Sequence, residues 1–346
     1  MRKILFTGGG SAGHVLPNIA LIEDLLARGE TDVCYIGTNG LEKRLISERK
    51  IPYYAIHCPK LVRGGGFAGF CNNIKIPFAL RRAVQEARRG LEIFRPDIVF
   101  SKGGYVALPV VLAARQLKIP CFAHESDFSV GLANRLTAKK CKRVFTSFAE
   151  TADTLKNGKY SGAPIRKSLF YHDREQAREA FCLPKDKKVV LVFGGGSGSA
   201  VINQALRKHL KTLTKQYAIL HVCGRGNEIF SNLENYRQEE FVSDMGAAYA
   251  CADLVVSRAG AGTVFEILAL KKPSILIPLE GQTRGDQKQN AEYFRKRGLC
   301  CVLPQRDLDR LPEAIAQAFA DNALRERLLS SNFTQGNENI LRELWQ

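Results

Sequence analysis

The chain has 346 residues, a formal net charge of +17, 45% apolar residues and 25% charged residues. This length predicts about two domains, and the balance of residues excludes a disordered chain, a collagen-like chain and a small disulfide scaffold. No window approaches 18 consecutive apolar residues, so we expect no transmembrane helix. The apolar run near the start, at 4–6, is only three residues long, so we expect no signal peptide.

The ten cysteines are scattered and never form a C-x-x-C pair, so we interpret them as small buried hydrophobic residues and expect no zinc site. The charge is uneven. Residues 1–164 carry 25 basic and 13 acidic side chains, whereas residues 165–346 carry 26 and 21. A basic first half indicates an anionic partner, which can be nucleic acid, a membrane surface or a phosphorylated substrate. The alternative is a generally basic composition without such a partner.

Short β-branched runs alternate with amphipathic stretches along the whole chain, which is typical of parallel sheets covered by helices on both faces. The predicted strands are 3–7, 33–36, 97–101, 120–123 and 143–146 in the first half, and 189–193, 218–222, 253–257, 274–277 and 300–303 in the second. The predicted helices include 17–28, 105–117, 200–214, 285–297 and a last one near 335–346.

One pattern occurs twice. KILFTGGG from residue 3 and KVVLVFGGG from residue 188 are each a buried strand that ends in three glycines, followed by a helix. Two similar nucleotide-binding halves therefore fit the expected two domains. The boundary is predicted near Gly162-Ala163-Pro164, and the last helix has no strand after it, so it can pack back on the first domain.

The first glycine loop matches the dinucleotide spacing G-x-G-x-x-G from Gly8 to Gly13. The second strand, however, ends without the acidic residue that would hold a ribose, and the lysine of a phosphate-binding P-loop is absent, so neither motif is complete. His14 stands at the tip of the loop, where it can carry a proton or a hydrogen bond to a ligand. The alternative is a histidine that caps the helix.

Two further loops follow predicted strands of the first half, at the carboxyl ends where open α/β sheets bind ligands. SKGGY spans 101–105, and HESD at 124–127 combines an imidazole with the carboxylates of Glu125 and Asp127. Such a group suits acid–base chemistry on a hydroxyl, although Ser126 or Asp127 can also cap a helix.

In the second half, the motif SRAGAGTVFE begins at residue 257, and its second residue is Arg258. The glycines of this motif let a helix N-terminus approach a ligand. Thr263 can donate to a phosphate, and Glu266 lies on the same helix face, where it can accept hydrogen bonds from a ribose diol. The cluster Asp286, Gln287 and Asn290 suits sugar hydroxyls. Asp307-Leu308-Asp309 is similar to a metal-binding D-x-D motif, but we interpret it as a helix start with an aspartate N-cap.

The motifs GGGSAGH, SKGGY, HES, GAPIR, RAGAGTVFE and GDQKQNAE, in this order, resemble those of the MurG family, whose members are the UDP-N-acetylglucosamine (UDP-GlcNAc) transferases that make lipid II for peptidoglycan. The resemblance covers Lys3 to about Arg342. It implies the GT-B fold, with two Rossmann-like α/β domains whose parallel sheets face a cleft. It further implies an acceptor and membrane-associating domain at 1–163, joined by the helix 335–346, and a UDP-GlcNAc domain at 164–334.

The implied reaction moves GlcNAc from UDP-GlcNAc to the C4 hydroxyl of MurNAc in undecaprenyl-diphospho-MurNAc-pentapeptide, with inversion and without a metal or cofactor. Protein dipoles and cations must then neutralise the leaving diphosphate. The alternatives are a GT-B transferase with another lipid acceptor, a UDP-GlcNAc epimerase, or a nucleic-acid-binding protein suggested only by the charge.

The resemblance also assigns site residues. On the donor side it implies phosphate contacts at Arg166 and Ser197, a uracil contact at Val242, the diphosphate-binding helix start at Ala261, Gly262 and Thr263, the ribose carboxylate at Glu266, and GlcNAc contacts at Gln287 and Asn290; Arg258 and Asp286 join this set from the neighbouring residues. On the acceptor side it implies the loop Ser11, Ala12, Gly13 and His14, with Glu125 and Asp127.

The chain departs from the family pattern at several places. Ala12 replaces a glycine, Asp127 replaces an amide, Ala163 replaces an asparagine, and Ser197 is shifted by one position. His14 is the first choice for the catalytic base or its helper, followed by Asp127 and Glu125.

A membrane-binding segment is predicted at 64–89, which would hold the protein on the cytoplasmic face of the plasma membrane as a peripheral protein. Its apolar residues and cations are Phe67, Phe70, Ile74, Ile76, Phe78, Leu80, Arg81, Arg82, Arg88 and Arg89. Aromatic residues beside clustered cations suit an anionic bilayer. The alternative is a core helix with a solvated basic face, and Pro77, which we expect to interrupt the helix, favours a loop insertion.

Overall fold

The computed structural model describes residues 2–29, 31–60, 76–196, 198–281, 285–333 and 335–345. The chain forms two compact units. Unit 1 contains the described residues up to Arg166 together with the C-terminal helix, and unit 2 is Lys167–Phe333. The chain thus passes from unit 1 to unit 2 after Arg166, three residues beyond the predicted boundary, and returns after Phe333.

Unit 1 is built on a seven-stranded parallel sheet with the order β3-β2-β1-β4-β5-β6-β7. Its strands are β1 Arg2–Thr7, β2 Thr31–Gly37, β3 Tyr53–Ala55, β4 Ile98–Ser101, β5 Cys121–Glu125, β6 Arg143–Thr146 and β7 Gly158–Tyr160. Its helices are α1 Ala12–Arg28, α2 Leu41–Ser47, α3 Ile76–Phe94, α4 Ala107–Gln116, α5 Leu132–Thr137 and α6 Ala149–Asp153, with a 3-10 turn at Ala138–Lys140.

Unit 2 is built on a six-stranded parallel sheet with the order β10-β9-β8-β11-β12-β13. Its strands are β8 Lys188–Phe193, β9 Tyr217–Val222, β10 Tyr236–Glu239, β11 Leu254–Ser257, β12 Ser274–Leu276 and β13 Cys301–Val302. Its helices are α7 Arg174–Ala180, α8 Ala200–Gln216, α9 Met245–Cys251, α10 Ala261–Ala269, α11 Asp286–Lys296, α12 Leu311–Ala320 and α13 Asn322–Ser330, with 3-10 turns at Lys167–Phe170 and Gln305–Arg310.

Each central strand is buried on both faces because helices cover the sheet from both sides, and this is why the strands are continuous apolar runs. In unit 1, Ile19 of α1 packs in the core on one face, and Val84 of α3 and Val110 of α4 pack on the other. In unit 2, Leu206 of α8 and Ile315 of α12 lie in one core with β8. The carboxyl ends of the parallel strands consequently share one edge of each sheet, where the glycine loops lie.

The C-terminal helix, α14 Asn337–Trp345, completes the core of unit 1 with Leu341 and Leu344. Asn337 fixes the start of this helix, since its side chain accepts a hydrogen bond from Ile165 N (2.8 Å) and donates to Ile165 O (3.1 Å). Beside it, Gly336 N donates to Ala163 O (2.7 Å). The two chain segments that connect the units are therefore bonded to each other within unit 1.

Two local predictions from the sequence are wrong. Pro77 does not interrupt α3; it occupies the second position of that helix, where a missing N–H costs nothing. Asp307 is not an N-cap, since Gln305–Arg310 is a 3-10 turn without a side-chain cap. No helix among the described residues has the length and apolarity needed to cross a bilayer.

Candidate active site

The first glycine loop follows β1, and the buried carboxylate of Glu42 holds it in place. Glu42, at the start of α2, accepts hydrogen bonds from Gly10 N (3.3 Å) and from Thr38 N (3.0 Å). A Cβ atom at Gly9 would lie 2.5 Å from Glu42 Oε1, so a side chain there would displace the carboxylate. The glycines therefore allow Glu42 to tie the loop to the end of β2.

A second buried group fixes the start of the same loop. Asn18 on α1 donates to Thr7 O (3.1 Å) and to the Tyr35 hydroxyl (3.1 Å), which in turn donates to Gly8 O (2.7 Å). These bonds join α1, β1 and β2 just below the predicted ligand-binding loop. The loop conformation is therefore set before any ligand binds.

His14 lies in the first turn of α1, and its ring orientation is set by SKGGY. His14 Nδ1 lies 3.2 Å from Lys102 O. A carbonyl oxygen can only accept, so Nδ1 donates and the neutral ring carries its basic lone pair on Nε2. Ser11, Ala12 and Gly13 directly precede this residue, and the N-cap Ser11 makes no side-chain cap bond.

Glu125 and Asp127 of the HESD motif differ in their surroundings. Glu125 is buried, and its carboxylate accepts bonds from Asp127 N (3.1 Å), Gly131 N (2.8 Å) and Asn134 Nδ2 (2.9 Å). These bonds fix the loop between β5 and α5. Glu125 is thus engaged by the protein itself, whereas Asp127 is partly exposed.

A buried lysine adds a positive charge to this edge of the sheet. Lys102 is 1% exposed, and this burial lowers the pKa of its ammonium. The negative charges of Glu125 and Asp127 partly offset this effect, because they raise the same pKa. Burial, reinforced by Lys102, holds the pKa of His124 well below its usual range. His124 is therefore neutral at physiological pH, and its Nε2 lies 3.3 Å from Gly162 O. The edge combines the neutral His124, one ammonium and two carboxylates.

In unit 2, the second glycine loop leads into α8. Ser199 is the N-cap of α8 and accepts a hydrogen bond from Ile202 N (3.4 Å). Gly198 has φ +76°, and a Cβ atom there would lie 2.4 Å from Cys223 O, so only glycine fits this turn. The predicted phosphate contact Ser197 lies outside the described residues.

Arg258 is buried, and its guanidinium bonds to three separate segments. One nitrogen donates to Ile277 O (3.3 Å), Pro278 O (3.3 Å) and Gln305 Oε1 (2.9 Å), and another donates to Ser199 Oγ (2.9 Å). The side chain thus joins the α8 N-cap to the loop after β12. This geometry is that of a residue that holds these loops in position relative to one another.

The third helix start, that of α10, carries no side-chain cap. Its N-cap Gly260 has no side chain, and a Cβ atom at Gly260 or Gly262 would meet no described atom within 4 Å. Within the described residues, no side chain caps the first amides of α10, from Ala261 to Thr263. Further along the helix, Glu266 accepts a hydrogen bond from the Tyr249 hydroxyl (3.2 Å), which orients its carboxylate.

The other predicted donor residues are placed by neighbouring elements. Gln287 on α11 accepts from Leu279 N (3.0 Å), and Asn290 is fully buried and donates to Ala259 O (3.3 Å). Asp286 begins α11, and Val242 is buried just before α9. Arg166 follows Ile165 in unit 1, where Asn337 holds the backbone.

Comparison with known proteins decides the family. The glycosyltransferase family 28 N-terminal domain matches residues 4–146, and the glycosyltransferase family 28 C-terminal domain matches residues 189–343. The chain belongs to glycosyltransferase family 28. The predicted enzyme class, a glycosyltransferase, is therefore confirmed.

Relatives within the family are similar over nearly their whole length. The UDP-N-acetylglucosamine--N-acetylmuramyl-(pentapeptide) pyrophosphoryl-undecaprenol N-acetylglucosamine transferase of Clostridium perfringens is 43% identical over 337 residues, covering 95% of this chain and 92% of the relative. The transferase of the same name from Lachnospira eligens is 41% identical, covering 93% and 92%. The predicted resemblance is confirmed by these relatives.

Solved structures support the fold. The crystal structure of Acinetobacter baumannii MurG is 26% identical, with a TM-score of 0.73 and coverage of 99% of each chain. A UDP-GlcNAc 2-epimerase from Neisseria meningitidis shares the fold at 15% identity and a TM-score of 0.69, covering 100% and 99%. The predicted two-domain α/β GT-B class is confirmed by the family 28 match and these neighbours.

Several residues that shape this family 28 site were not predicted from the sequence. Glu42 comes next to the first glycine loop only through the pairing of β2 with β1. Asn18 stands on the helix that follows this loop, and Lys102 stands inside SKGGY, so their closeness to these motifs in the sequence was an available signal. Among the described residues, no three His, Cys, Asp or Glu side chains converge where a metal ion could be held.

Proposed function

We propose that the chain transfers GlcNAc from UDP-GlcNAc to the C4 hydroxyl of MurNAc in undecaprenyl-diphospho-MurNAc-pentapeptide, with inversion and without a metal. The observation that carries the proposal is the 43% identity to a transferase of that name over 95% of the chain. The uncapped helix start of α10 and the oriented His14 support it, since the reaction needs an anion site and a base.

Donor binding is assigned to unit 2. The amide groups at the start of α10, with those at the glycine loop before α8, stabilise the diphosphate of UDP as negative charge develops on it. Glu266 accepts hydrogen bonds from the ribose diol, held in place by Tyr249. Asp286, Gln287 and Asn290 border the GlcNAc, with Asn290 acting through the loop that it bonds.

The remaining donor residues have supporting roles. Val242 lies against the uracil. Arg166 contributes positive charge to the phosphates, and Ser197 contributes a hydroxyl to them. Arg258 positions the helix start of α8 and the loop after β12, since its guanidinium donates to four protein acceptors.

Proton transfer is assigned to His14. Its Nε2 takes the proton of the C4 hydroxyl, while that oxygen attacks the anomeric carbon of GlcNAc. The bond from this carbon to the diphosphate breaks, and UDP leaves with the electron pair. Glu125 is less suited as a base because three protein donors engage its carboxylate. Asp127, with Ser11, Ala12 and Gly13, lies at the same edge and orients the acceptor.

Membrane contact is assigned to α3, which places the protein peripherally on the cytoplasmic face of the plasma membrane. One face of α3 packs on the core, and the opposite face exposes Phe78, Arg81, Gln85, Arg89 and Ile93. These positions are three or four residues apart and therefore form one stripe along the helix. Phe67, Phe70 and Ile74 lie outside the described residues.

The test is transfer of radiolabelled GlcNAc from UDP-GlcNAc to a synthetic lipid-linked MurNAc-pentapeptide in the presence of EDTA. Labelled disaccharide-lipid supports the donor, the acceptor and the metal-independent mechanism together. Donor binding without transfer would redirect the proposal to another lipid acceptor. Product formed without any acceptor would contradict it in favour of epimerisation or hydrolysis.

A further inference from the structure

The carboxyl edge of the unit 1 sheet contains a buried ammonium without a direct partner. Lys102 follows β4; its backbone N donates to Thr7 O (2.8 Å), and its backbone O lies 3.2 Å from His14 Nδ1. The residue is 1% exposed. Within the part of the chain that the structure describes, the Lys102 ammonium forms no hydrogen bond and no ion pair. A buried charge of this kind destabilises the fold unless other charges offset it.

The pairing of β4 with β5 places Lys102 beside the HESD motif. Ser101 lies opposite Ala123 in the parallel register, so Lys102 and His124 come next to each other where the two strands end. The electrostatics agree with this position, since burial and, after it, the charge of Lys102 lower the pKa of His124. Lys102 therefore stands at the same edge as the proposed acceptor-binding residues.

Two carboxylates of HESD act on this ammonium. Burial lowers the pKa of Lys102, and the negative charges of Glu125 and Asp127 oppose that effect. Glu125 is bonded by three protein donors within its own loop, so its carboxylate is already occupied. Asp127 is only partly buried, and its backbone N donates to Glu125 Oε1 (3.1 Å), which fixes its place at the edge. Asp127 is therefore the carboxylate that can respond both to Lys102 and to a ligand.

Position 127 is also a departure from the family pattern, since Asp127 stands where the pattern has an amide. An amide both donates and accepts hydrogen bonds, whereas a carboxylate only accepts. Asp127 therefore adds one negative charge at the proposed site of an acceptor that itself carries a diphosphate. Charges of equal sign at such a site weaken binding unless a cation offsets them.

The charges at this edge come close to balance only with Lys102. The ammonium and the carboxylates of Glu125 and Asp127 give a net charge of −1, and without Lys102 the same edge would carry −2. Direct contact is not needed for this compensation, because the low dielectric of a buried site lets charges interact over several ångströms. Lys102 therefore compensates most of the charge that Asp127 adds.

We propose that Lys102 and Asp127 act as a charge pair that selects the acceptor. Lys102 is the positioning residue of this pair: its ammonium attracts the Asp127 carboxylate and reduces the repulsion between that carboxylate and the acceptor diphosphate. Asp127, held in this way, accepts hydrogen bonds from sugar hydroxyls of the acceptor. The inference rests on the proposed function, because it concerns how the MurNAc-linked acceptor is bound.

The pair predicts that two substitutions compensate each other. Lys102→Met replaces the ammonium by an apolar side chain and leaves the edge with a net charge of −2. Asp127→Asn introduces the amide of the family pattern but leaves the ammonium with Glu125 alone, whose carboxylate is already bonded. The double substitution returns the net charge to −1. Each single variant is therefore expected to be impaired, and the double variant is expected to recover.

The test is a double-mutant cycle on the purified full chain. The value of kcat/KM for the synthetic lipid-linked MurNAc-pentapeptide is measured at saturating UDP-GlcNAc for wild type, both single variants and the double variant. Each single variant is expected to lose at least about tenfold, and the double variant to return to within about threefold of wild type. The affinity for UDP is expected to be equal in all four proteins, since unit 2 is unchanged.

A second cycle uses no substrate. Asp127→Asn is expected to lower the melting temperature of wild type by about 2–4 °C, because the buried ammonium loses a counter-charge, and to leave that of the Lys102→Met variant nearly unchanged. Circular dichroism measures both. In the matched control, Asp153→Asn takes the place of Asp127→Asn and removes the same charge from an exposed position at the end of α6. Its effects are expected to be the same with and without Lys102→Met.

Additive losses of kcat/KM in the double variant would overturn the inference even if the melting temperatures are coupled, since Lys102 would then be merely structural. Equal recovery of the Lys102→Met variant by Asp153→Asn would also overturn it, because any lost carboxylate would then suffice. If wild type transfers no GlcNAc to this acceptor, the proposed function fails. In that case uncoupled melting temperatures reject the pair as well, whereas coupled ones retain it for another anionic acceptor.

Discussion

At the residue scale, the chemistry of His14 depends on one backbone carbonyl. Lys102 O holds Nδ1, which fixes the tautomer with its basic lone pair on Nε2. The carbonyl belongs to SKGGY, and the glycines of that motif let this loop pass close to the His14 ring. A Cβ atom at Gly104 would lie 2.4 Å from Gly9 O and 3.1 Å from the His14 ring.

Replacing His14 tests its assignment as the base. His14→Gln is expected to lower kcat about 10²- to 10⁴-fold, because general-base catalysis contributes that much, and to leave the affinity for UDP nearly unchanged. The fall of the wild-type rate at acidic pH should also disappear. Glu125→Gln is the comparison variant. If Glu125→Gln lost more kcat than His14→Gln, and His14→Gln kept the wild-type pH profile, Glu125 and not His14 would be the base.

Replacing Arg258 tests its positioning role. Arg258→Lys retains the charge but cannot reach all four acceptors, so the loops of the donor site lose their common support. We expect the KM for UDP-GlcNAc to rise about tenfold or more, with the KM for the acceptor unchanged. Arg237→Lys, an exposed position in unit 2, is the control. A lowered melting temperature with unchanged KM values would show that Arg258 is merely structural.

The sequence could predict residues that stand inside the motifs but not those that support them. His14 directly follows a glycine loop, and Glu266 follows a glycine-rich helix start, so chain proximity reveals both. Glu42 reaches Gly10 only because β2 pairs with β1, which brings residues 32 positions apart into contact. Contacts of this kind depend on strand order, which no single motif contains.

At the element scale, the long buried strands were predictable and the edge strands were not. All ten predicted strands are present within a few residues of their predicted bounds. The three unpredicted ones, β3, β7 and β10, have three or four residues each and lie at the sheet edges with partly exposed side chains. Short polar edge strands lack the apolar run on which the prediction rests.

The exposed stripe of α3 leads to a prediction about membranes. Arg81→Glu with Arg89→Glu is expected to lower binding to phosphatidylglycerol vesicles at least about thirtyfold, since each basic residue near an anionic surface contributes about 1 kcal/mol. Vesicle sedimentation measures the effect. The charge-matched control is Lys211→Glu with Lys215→Glu; equal binding by all proteins would remove α3 from the membrane contact.

His221 couples the stability of unit 2 to pH. Its buried ring lies 2.8 Å from the Tyr236 hydroxyl and 3.0 Å from Asn203 Oδ1, joining β9 to β10 and α8. Burial, with a contribution from Arg207, lowers the pKa of His221 to about 4. The unfolded chain binds the proton near pH 6.5, so stability is complete above about 6.5 and decreases as the pH falls towards 4.

The loss amounts to at most about 3 kcal/mol, because one pKa unit corresponds to about 1.4 kcal/mol. His221→Gln removes the titration. The melting temperature of wild type is therefore expected to fall more between pH 7 and pH 5 than that of the variant. Histidines common to both proteins, such as His124, cancel in this comparison. Parallel pH dependences would contradict the role of His221.

At the scale of the whole molecule, the core of unit 1 is assembled from both ends of the chain. Leu341 is fully buried against residues of β1 and α1. Leu341→Ala is expected to destabilise unit 1 by about 2–5 kcal/mol and to leave unit 2 unchanged. Hydrogen exchange at amides of β1 and of β8 distinguishes the units. Leu329→Ala, at a position 72% exposed, is the control; equal effects in both units would contradict this division.

The return of α14 to unit 1 also has a consequence for protein synthesis. Unit 2 is continuous in the sequence, whereas unit 1 needs the segment made after it. Domains commonly fold in the order in which the ribosome releases them. Here that order is reversed at the last step: unit 2 can close its core while the earlier-made sheet still exposes the apolar groove that Ile340, Leu341 and Leu344 will fill. The nascent chain therefore presents this groove to chaperones throughout the synthesis of unit 2.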